Sequence, residues 1–290
     1  GEFRLKKIAV LNDLSGLGKC SLTAAIPVIS VMGIQACPLP TAVLSCQTGF
    51  PSYFCDDYTE RMDKFMDEWK KLDFQPDGIY TGFLADAAQA DKVVSFIEQF
   101  GGENVKILVD PVMGDDGEEY SIYTEALCEK MRFLAKRAAV ITPNLTEALL
   151  LLHGRECAHK IWSKLSNLAE KELKGFVEET GNKLAMEYET EVVITGIDFP
   201  VKSGVQEIGN LICAVDSVQW VTAQKVGGSY SGTGDLFASV LSAGMVKGTD
   251  TVESVRKAVN FLAKGIRDAV EEETDRNEGI CFEKYLYELA

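Results

Sequence analysis

The stretch GGSYSGTGDLFAS, residues 227–239, carries the strongest chemical signal in the chain. Gly232, Thr233 and Gly234 lead directly into an apolar helical pattern, so their backbone N–H groups would lie at a helix N-terminus. Unpaired donors and the helix dipole favour a negative group there, and such an anion hole suits a phosphoryl group whose charge spreads over its oxygens in transfer. Asp235 falls in the first helical turn beside it. Two roles stay open on spacing alone: a helix-start residue favoured by the dipole, or a base taking the proton of an alcohol as it attacks a γ-phosphate. An unperturbed Asp, with a pKa of about 3.9, would already be ionised at neutral pH.

A second cluster, ITPNLTEA at 141–148, puts Asn144 and Glu147 on one face of a first helical turn just after a strand. Magnesium takes one or two carboxylates plus substrate phosphates, so Glu147 could organise it; equally, the pattern reads as a capping box in which Glu147 only satisfies backbone N–H groups. A third acidic site is VDPVMGDDG at 109–117, where Asp110 ends a strand, Pro111 stops pairing, and Gly114–Gly117 make a turn. In open α/β sheets ligands gather at the carboxyl ends of strands. Asn12, Asp13, Phe83, Asp110, Asn144 and Thr195 all fall at or just past predicted strand ends.

Other chemistries lack their handles. LNDLSGLGKCSL, residues 11–22, imitates a phosphate-binding loop, but Asp13 stands where the motif needs its first glycine and Cys20 where it needs a hydroxyl. His153 and His159, in the polar segment LLHGRECAHK, make a poor zinc pattern and read as a solvated connection. No G-x-S-x-G elbow or G-x-G-x-x-G dinucleotide loop occurs.

The elements that must position these residues follow a βα beat. Strands are predicted at 6–11, 35–40, 78–83, 105–110, 138–142 and 191–196, with helices from about Ser21, Thr59, Asp86 and Thr124 and a long helical stretch around 158–181. That alternation implies an α/β fold with a largely parallel central sheet and helices on both faces. After residue 205 two adjacent strands suggest antiparallel pairing, and two helices, 233–247 and 251–273, close the chain. Residues 44–58, with Phe50, Tyr53 and Phe54, read as a flap over a pocket or as a packed surface loop.

The chain has 290 residues, 46% of them hydrophobic, and no linker rich in Pro, Gly and Ser, so one domain spanning 1–290 is expected, with residues 1–3 read as a cloning remnant. A formal charge of -15 argues against nucleic-acid and anionic-membrane partners. Neither a membrane-length apolar run nor an export leader is read, so a cytoplasmic location is expected. The eight cysteines form no CxxC pair and read as reduced, buried thiols.

Taken in order, an N-terminal strand with a polar loop, TAVLSCQTGF, VDPVMGD, TPNLTE and GTGD resemble the ribokinase-like superfamily, and within it the pyridoxal kinases, from Ile8 to about Ala269. The resemblance implies a cytoplasmic, homodimeric enzyme of vitamin B6 salvage and pyridoxal phosphate biosynthesis. Such an enzyme would use ATP and magnesium, with potassium as a candidate monovalent cation, to phosphorylate the 5′-hydroxymethyl group of pyridoxal, pyridoxine or pyridoxamine. It implies Asp235 as base, Gly232, Thr233 and Gly234 as anion hole, and Asn144 and Glu147 as the pair organising magnesium and the ATP phosphates. Asp110 and Thr142 would lie near the metal and monovalent-cation sites, with Asp115 a weaker candidate, and Thr195 would contact nucleotide. Asn12, Gln47, Thr48 and Phe83 would hold the pyridine ring and its substituents. Asn12, Gln47 and Phe83 depart from the family's frequent Ser, His and Tyr. A hydroxymethylpyrimidine kinase of thiamine biosynthesis is the near alternative, although many of those carry Cys where this chain has Asp235. A non-catalytic vitamin-binding protein is the other.

Overall fold

The computed structural model describes residues 4–290; residues 1–3, read above as a cloning remnant, lie outside the described residues. In chain order the elements are β1 (Lys7–Leu17), α1 (Ser21–Val31), β2 (Gln35–Cys46), β3 (Cys55–Asp57), α2 (Thr59–Lys71), β4 (Gly78–Thr81), α3 (Ala87–Phe100), β5 (Lys106–Val109), β6 (Gly114–Asp115) and β7 (Glu118–Glu119). There follow α4 (Glu125–Ala135), β8 (Val140–Ile141), α5 (Leu145–Leu165), α6 (Glu170–Tyr188), β9 (Glu191–Asp198), β10 (Glu207–Ala214), β11 (Ser217–Gln224), α7 (Thr233–Lys247) and α8 (Thr251–Glu271). Two short 3-10 turns, Arg276–Glu278 and Glu283–Leu289, end the chain.

These elements form two compact units. Unit one takes in the chain up to Phe83, Lys92–Ile107 and Val226–Ala290; unit two is Leu84–Asp91 and Leu108–Lys225. In unit one β1 pairs in parallel with β2 on one side and β4 on the other, and β3 adds an antiparallel edge to β2. Ile8, Ala9, Val10 and Leu11 are fully buried, which is why the start of β1 is a continuous apolar run rather than an alternating one. Helix α1 packs between β1 and α7, and α8 covers α7. In unit two β8 lies in parallel between β5 and β9, while β10 and β11 continue antiparallel as their short connection requires. Helices α4, α5 and α6 pack in succession, and α6 lies on β9 and β10. The mostly parallel sheet with helices is the α/β fold expected.

Local chemistry sets the boundaries. Thr124 accepts the Leu127 N–H and starts α4, and Asp250 accepts the N–H groups of Val252 and Glu253 to start α8. Asp116 and Gly117, both at positive φ, turn β6 into β7. Three expectations need correction. The first strand continues six residues beyond Leu11, to Leu17, with a register shift between Asn12 and Leu14, and β2 likewise runs on to Cys46. The helical stretch around 158–181 is two helices, because Ser166–Ala169 separates α5 from α6. LLHGRECAHK is helical rather than a connection: it lies within α5, kinked at Gly154, and His159 pairs with Glu119 beside Arg155. The eight cysteines are free; Cys20, Cys37, Cys46, Cys128 and Cys213 are buried, whereas Cys55 and Cys157 are exposed. Among the described residues no helix is long and apolar enough to cross a membrane.

Candidate active site

In unit one the N-terminus of α7 abuts the loop between β1 and α1. Gly232 caps α7 at φ 81°, and a Cβ there would lie 2.0 Å from the Lys19 carbonyl oxygen, so only glycine permits the approach. No side chain caps α7, and Gly234 faces open space, so the first-turn N–H groups of Thr233 and Gly234 are not covered by a cap. Asp235, the third residue of α7, accepts the Ser21 N–H on Oδ2 at 2.8 Å. Ser21 reaches that position in a left-handed backbone, φ 50°, which costs a non-glycine residue about 1–2 kcal/mol. It is pinned at both ends, because its hydroxyl donates to Asp13 Oδ1 at 2.8 Å, while Ser15 donates to Asp13 Oδ2 at the same distance.

Asp235 is half-buried by surface, yet its carboxyl is densely enclosed by protein. Burial pushes its pKa up to about 6; the Ser21 N–H opposes the rise, the Asp13 charge adds to it, and Asn12 opposes it, although Asn12 Nδ2 closes no hydrogen bond of good geometry among the described residues. The side chain is therefore not the unperturbed carboxylate assumed from sequence. It is a stronger base, still mostly ionised at neutral pH. The neighbouring Cys20 thiol is pushed up to about 12, chiefly by burial, and stays neutral.

Asn12 lies inside β1 rather than past its end, fully buried, with Gly82 against its amide. Thr48 is exposed and Phe83 half-buried. Gln47 is already committed: Oε1 accepts the Gly49 N–H at 2.7 Å, and Nε2 donates to the carbonyl and side-chain oxygens of Asn277 at 3.2 and 3.0 Å. Lys19, the lysine of the false phosphate loop, binds the Ile280 carbonyl at 3.2 Å and Glu283 at 2.8 Å. It secures the C-terminal segment.

Unit two gathers the other residues. Asn144 caps α5 with a complete capping box: its side chain accepts the Glu147 N–H, and Glu147 Oε2 accepts the Asn144 N–H, both at 2.9 Å. Glu147 Oε1 also accepts the Met113 N–H at 3.2 Å, and Asn144 Nδ2 donates to the Gly114 carbonyl at 2.8 Å and toward Asp115 at 3.4 Å. Asn144 bridges Thr195 of β9 in parallel, with the Thr195 N–H on the Pro143 carbonyl. The structure thus draws Asp115, Asn144, Glu147 and Thr195 into one knot. Burial, then the charge of Asp110, pushes the Glu147 carboxyl well above its usual range, while the Asn144 and Met113 N–H groups oppose the rise. Thr142 is buried, and its hydroxyl has no hydrogen-bond partner among the described residues. The buried carboxyl groups of Asp110, just past β5, and of Glu147, in the first turn of α5, with the orphan hydroxyl of Thr142, just past β8, are oxygen donors that suit a hard cation, and each Glu147 oxygen retains a lone pair. The capping box and a cation role are compatible.

The sequence does not single out Ser15 or Asn277, marks Ser21 only as a helix start, and marks Asp13 only at a predicted strand end and in the false phosphate loop, so none of the four is read there as part of the site. Ser21 is distinguished by backbone conformation, which residue type does not announce. Asn277 meets Gln47 across 230 residues of chain.

The match to known proteins covers nearly the whole chain. A solved structure from Bacteroides thetaiotaomicron described as a phosphomethylpyrimidine kinase is 36% identical, with a TM-score of 0.88 over 100% of this chain and 95% of that one. Another crystal form of that protein contains pyridoxal. A Schizosaccharomyces pombe protein described as a pyridoxal kinase is 23% identical over 97% of this chain and 89% of its own length. The hydroxymethylpyrimidine/phosphomethylpyrimidine kinase of Bacillus subtilis is 26% identical over 69% of this chain and 65% of its own. The phosphomethylpyrimidine kinase family model matches residues 22–279, and with it the chain belongs to that family of phosphotransferases with an alcohol group as acceptor.

Proposed function

We propose that this protein transfers the γ-phosphoryl group of ATP to the 5′-hydroxymethyl group of pyridoxal, pyridoxine or pyridoxamine. The observation that carries the reading is Asp235, held by Ser21 at the uncapped start of α7 with its pKa raised to about 6. A carboxylate beside an anion site has no use in merely holding a neutral ring, which counts against a non-catalytic binding protein.

Asp235 accepts the proton of the attacking hydroxyl, the alcohol oxygen bonds to the γ-phosphorus, and the bond to the ADP oxygen breaks. The N–H groups of Thr233 and Gly234 carry the charge of the transferring group. Glu147, Asp110 and Thr142 would hold magnesium and a monovalent cation, which when bound neutralise phosphate charge. Asn144 and Thr195 orient the nucleotide phosphates, and Asn12, Thr48 and Phe83 face the acceptor. The enzyme works in the cytoplasm as a homodimer.

The pyridoxal form of the 36%-identical Bacteroides relative favours a B6 vitamer. The family model and the B. subtilis relative favour 4-amino-5-hydroxymethyl-2-methylpyrimidine, which needs the same base and anion hole. Steady-state ATP consumption with magnesium and potassium, comparing the three vitamers with the pyrimidine, tests the choice. Preference for a vitamer is expected; turnover of the pyrimidine alone would move the substrate, and turnover of none would remove the kinase reading.

A further inference from the structure

We propose that Asn277 is a positioning residue for the acceptor pocket, acting through Gln47 on the turn at 47–50. The inference rests on the proposed function, in which Thr48 faces the acceptor.

Gln47 directly follows β2, and its neighbours Thr48 and Gly49 open the segment that leads to Tyr53 and Phe54. Asn277 grips this turn at two points. Its carbonyl and Oδ1 accept Gln47 Nε2, and its Nδ2 donates to the Gly49 carbonyl at 3.1 Å. Gln47 passes the constraint inward, because its Oε1 takes the Gly49 N–H and its carbonyl takes the Phe50 N–H. The approach is close: a Cβ on Gly49 would lie 2.5 Å from Asn277 Oδ1. Asn277 is itself held by the Asp275 carboxylate on its N–H, and the adjacent Arg276 carbonyl accepts the Ser231 N–H. One short segment therefore touches both the turn carrying Thr48 and the residue before the Gly232 cap of α7.

With every hydrogen-bonding group of the Gln47 amide engaged on protein, Gln47 does not reach the acceptor. It fixes where Thr48 stands, and Asn277 fixes Gln47. Gln47 departs from the histidine frequent in the family, and in this chain its partner is an amide that both accepts and donates, as the Gln47–Gly49 pair requires.

The test uses the full-length protein and the variants Asn277→Ala, Gln47→Ala, their double, and Asn277→Asp. Amide hydrogen exchange at residues 47–50 and steady-state kinetics with pyridoxal varied at fixed ATP are read together with thermal midpoints. Asn277→Ala should speed exchange at 47–50 and raise the acceptor KM about five- to tenfold, the scale of one lost hydrogen bond, with kcat and the KM for ATP nearly unchanged. The double variant should be no worse than the single ones. Asn277→Asp keeps an acceptor for Gln47 and loses the donor to Gly49, so it should fall between. Unchanged exchange at 47–50 would overturn the clamp whatever the kinetics. Faster exchange with an unaltered acceptor KM, or kcat, both KM values and the midpoint worsening together, would overturn the positioning role. If the wild type turns over neither pyridoxal nor the pyrimidine, the kinase reading fails separately, and pyridoxal affinity by fluorescence titration takes the place of KM.

Discussion

Replacing Asp235 by Asn should destroy activity and stabilise the fold. The carboxylate is held partly desolvated and beside Asp13, which lifts its pKa from 3.8 to about 6. That rise corresponds to at most about 3 kcal/mol of strain in the ionised folded state, less whatever solvent still reaches the half-buried group. The sign follows from proton binding. Between about pH 4 and pH 6 the folded protein holds more protons at this site than the unfolded chain, so stability falls as pH rises, and the full penalty is present above pH 6. Asn keeps an oxygen for the Ser21 N–H and removes the charge. At pH 8 we expect Asp235→Asn to gain about 1–3 kcal/mol, or about 2–6 °C in midpoint. At pH 3, below the unfolded value of 3.8, where both states of the wild type are largely protonated, the gain should vanish. Turnover should drop about a hundred- to ten-thousand-fold, the usual worth of a general base, with ATP affinity within a few fold. The assay pairs ATP consumption with thermal denaturation across pH 3 to 8. A variant with near wild-type turnover would remove Asp235 from the mechanism. A variant less stable than wild type at pH 8, or a stability difference independent of pH, would refute the electrostatic reasoning.

Other expectations follow from the same contacts. The acidic limb of the wild-type rate profile should fall near pH 6, and Asp13→Asn should move it lower, because the Asp13 charge raises the Asp235 pKa; an unmoved limb would mean that Asp13 only orients Ser21. Glu147→Gln cannot accept the Asn144 and Met113 N–H groups with both side-chain atoms, so it should cost about 1–3 kcal/mol in denaturant titration. It should also raise the magnesium needed for half-maximal rate about tenfold or more; an unchanged magnesium titration would leave Glu147 as a cap alone. Thr142→Val removes the orphan hydroxyl, and should abolish activation by potassium while leaving the midpoint in potassium-free buffer equal or higher, as loss of an unsatisfied buried group predicts. Persistent potassium activation would take Thr142 out of any cation site.

Much of unit one and unit two was legible because alternation and capping are local. The βα beat, the antiparallel β10–β11 pair, the Thr124 start of α4 and the Asp116-Gly117 turn are each written within a few residues, and local backbone preference decides them. Motif order alone likewise carried the family resemblance, which the family model bears out over residues 22–279. The strand extensions to Leu17 and Cys46 were not legible, since LSGL and TAVLSC are too polar and glycine-bearing to read as strand until each other's backbone supplies the hydrogen bonds.

Residue types by themselves determined which groups this protein has for chemistry: an aspartate at a glycine-led helix start, a glutamate in a capping pattern, and no other catalytic set. Only the tertiary structure decided what those groups are. Ionisation depends on burial and on charges brought near by folding, so the Asp235 pKa and the Glu147–Asp110 repulsion have no counterpart in a list of residues. Availability depends on partners: Gln47 and Lys19 look free in sequence and are spent on Asn277, Ile280 and Glu283, more than two hundred residues away. Contacts of that separation are selected by packing rather than by local propensity, and they lie beyond any window in which sequence pattern is informative.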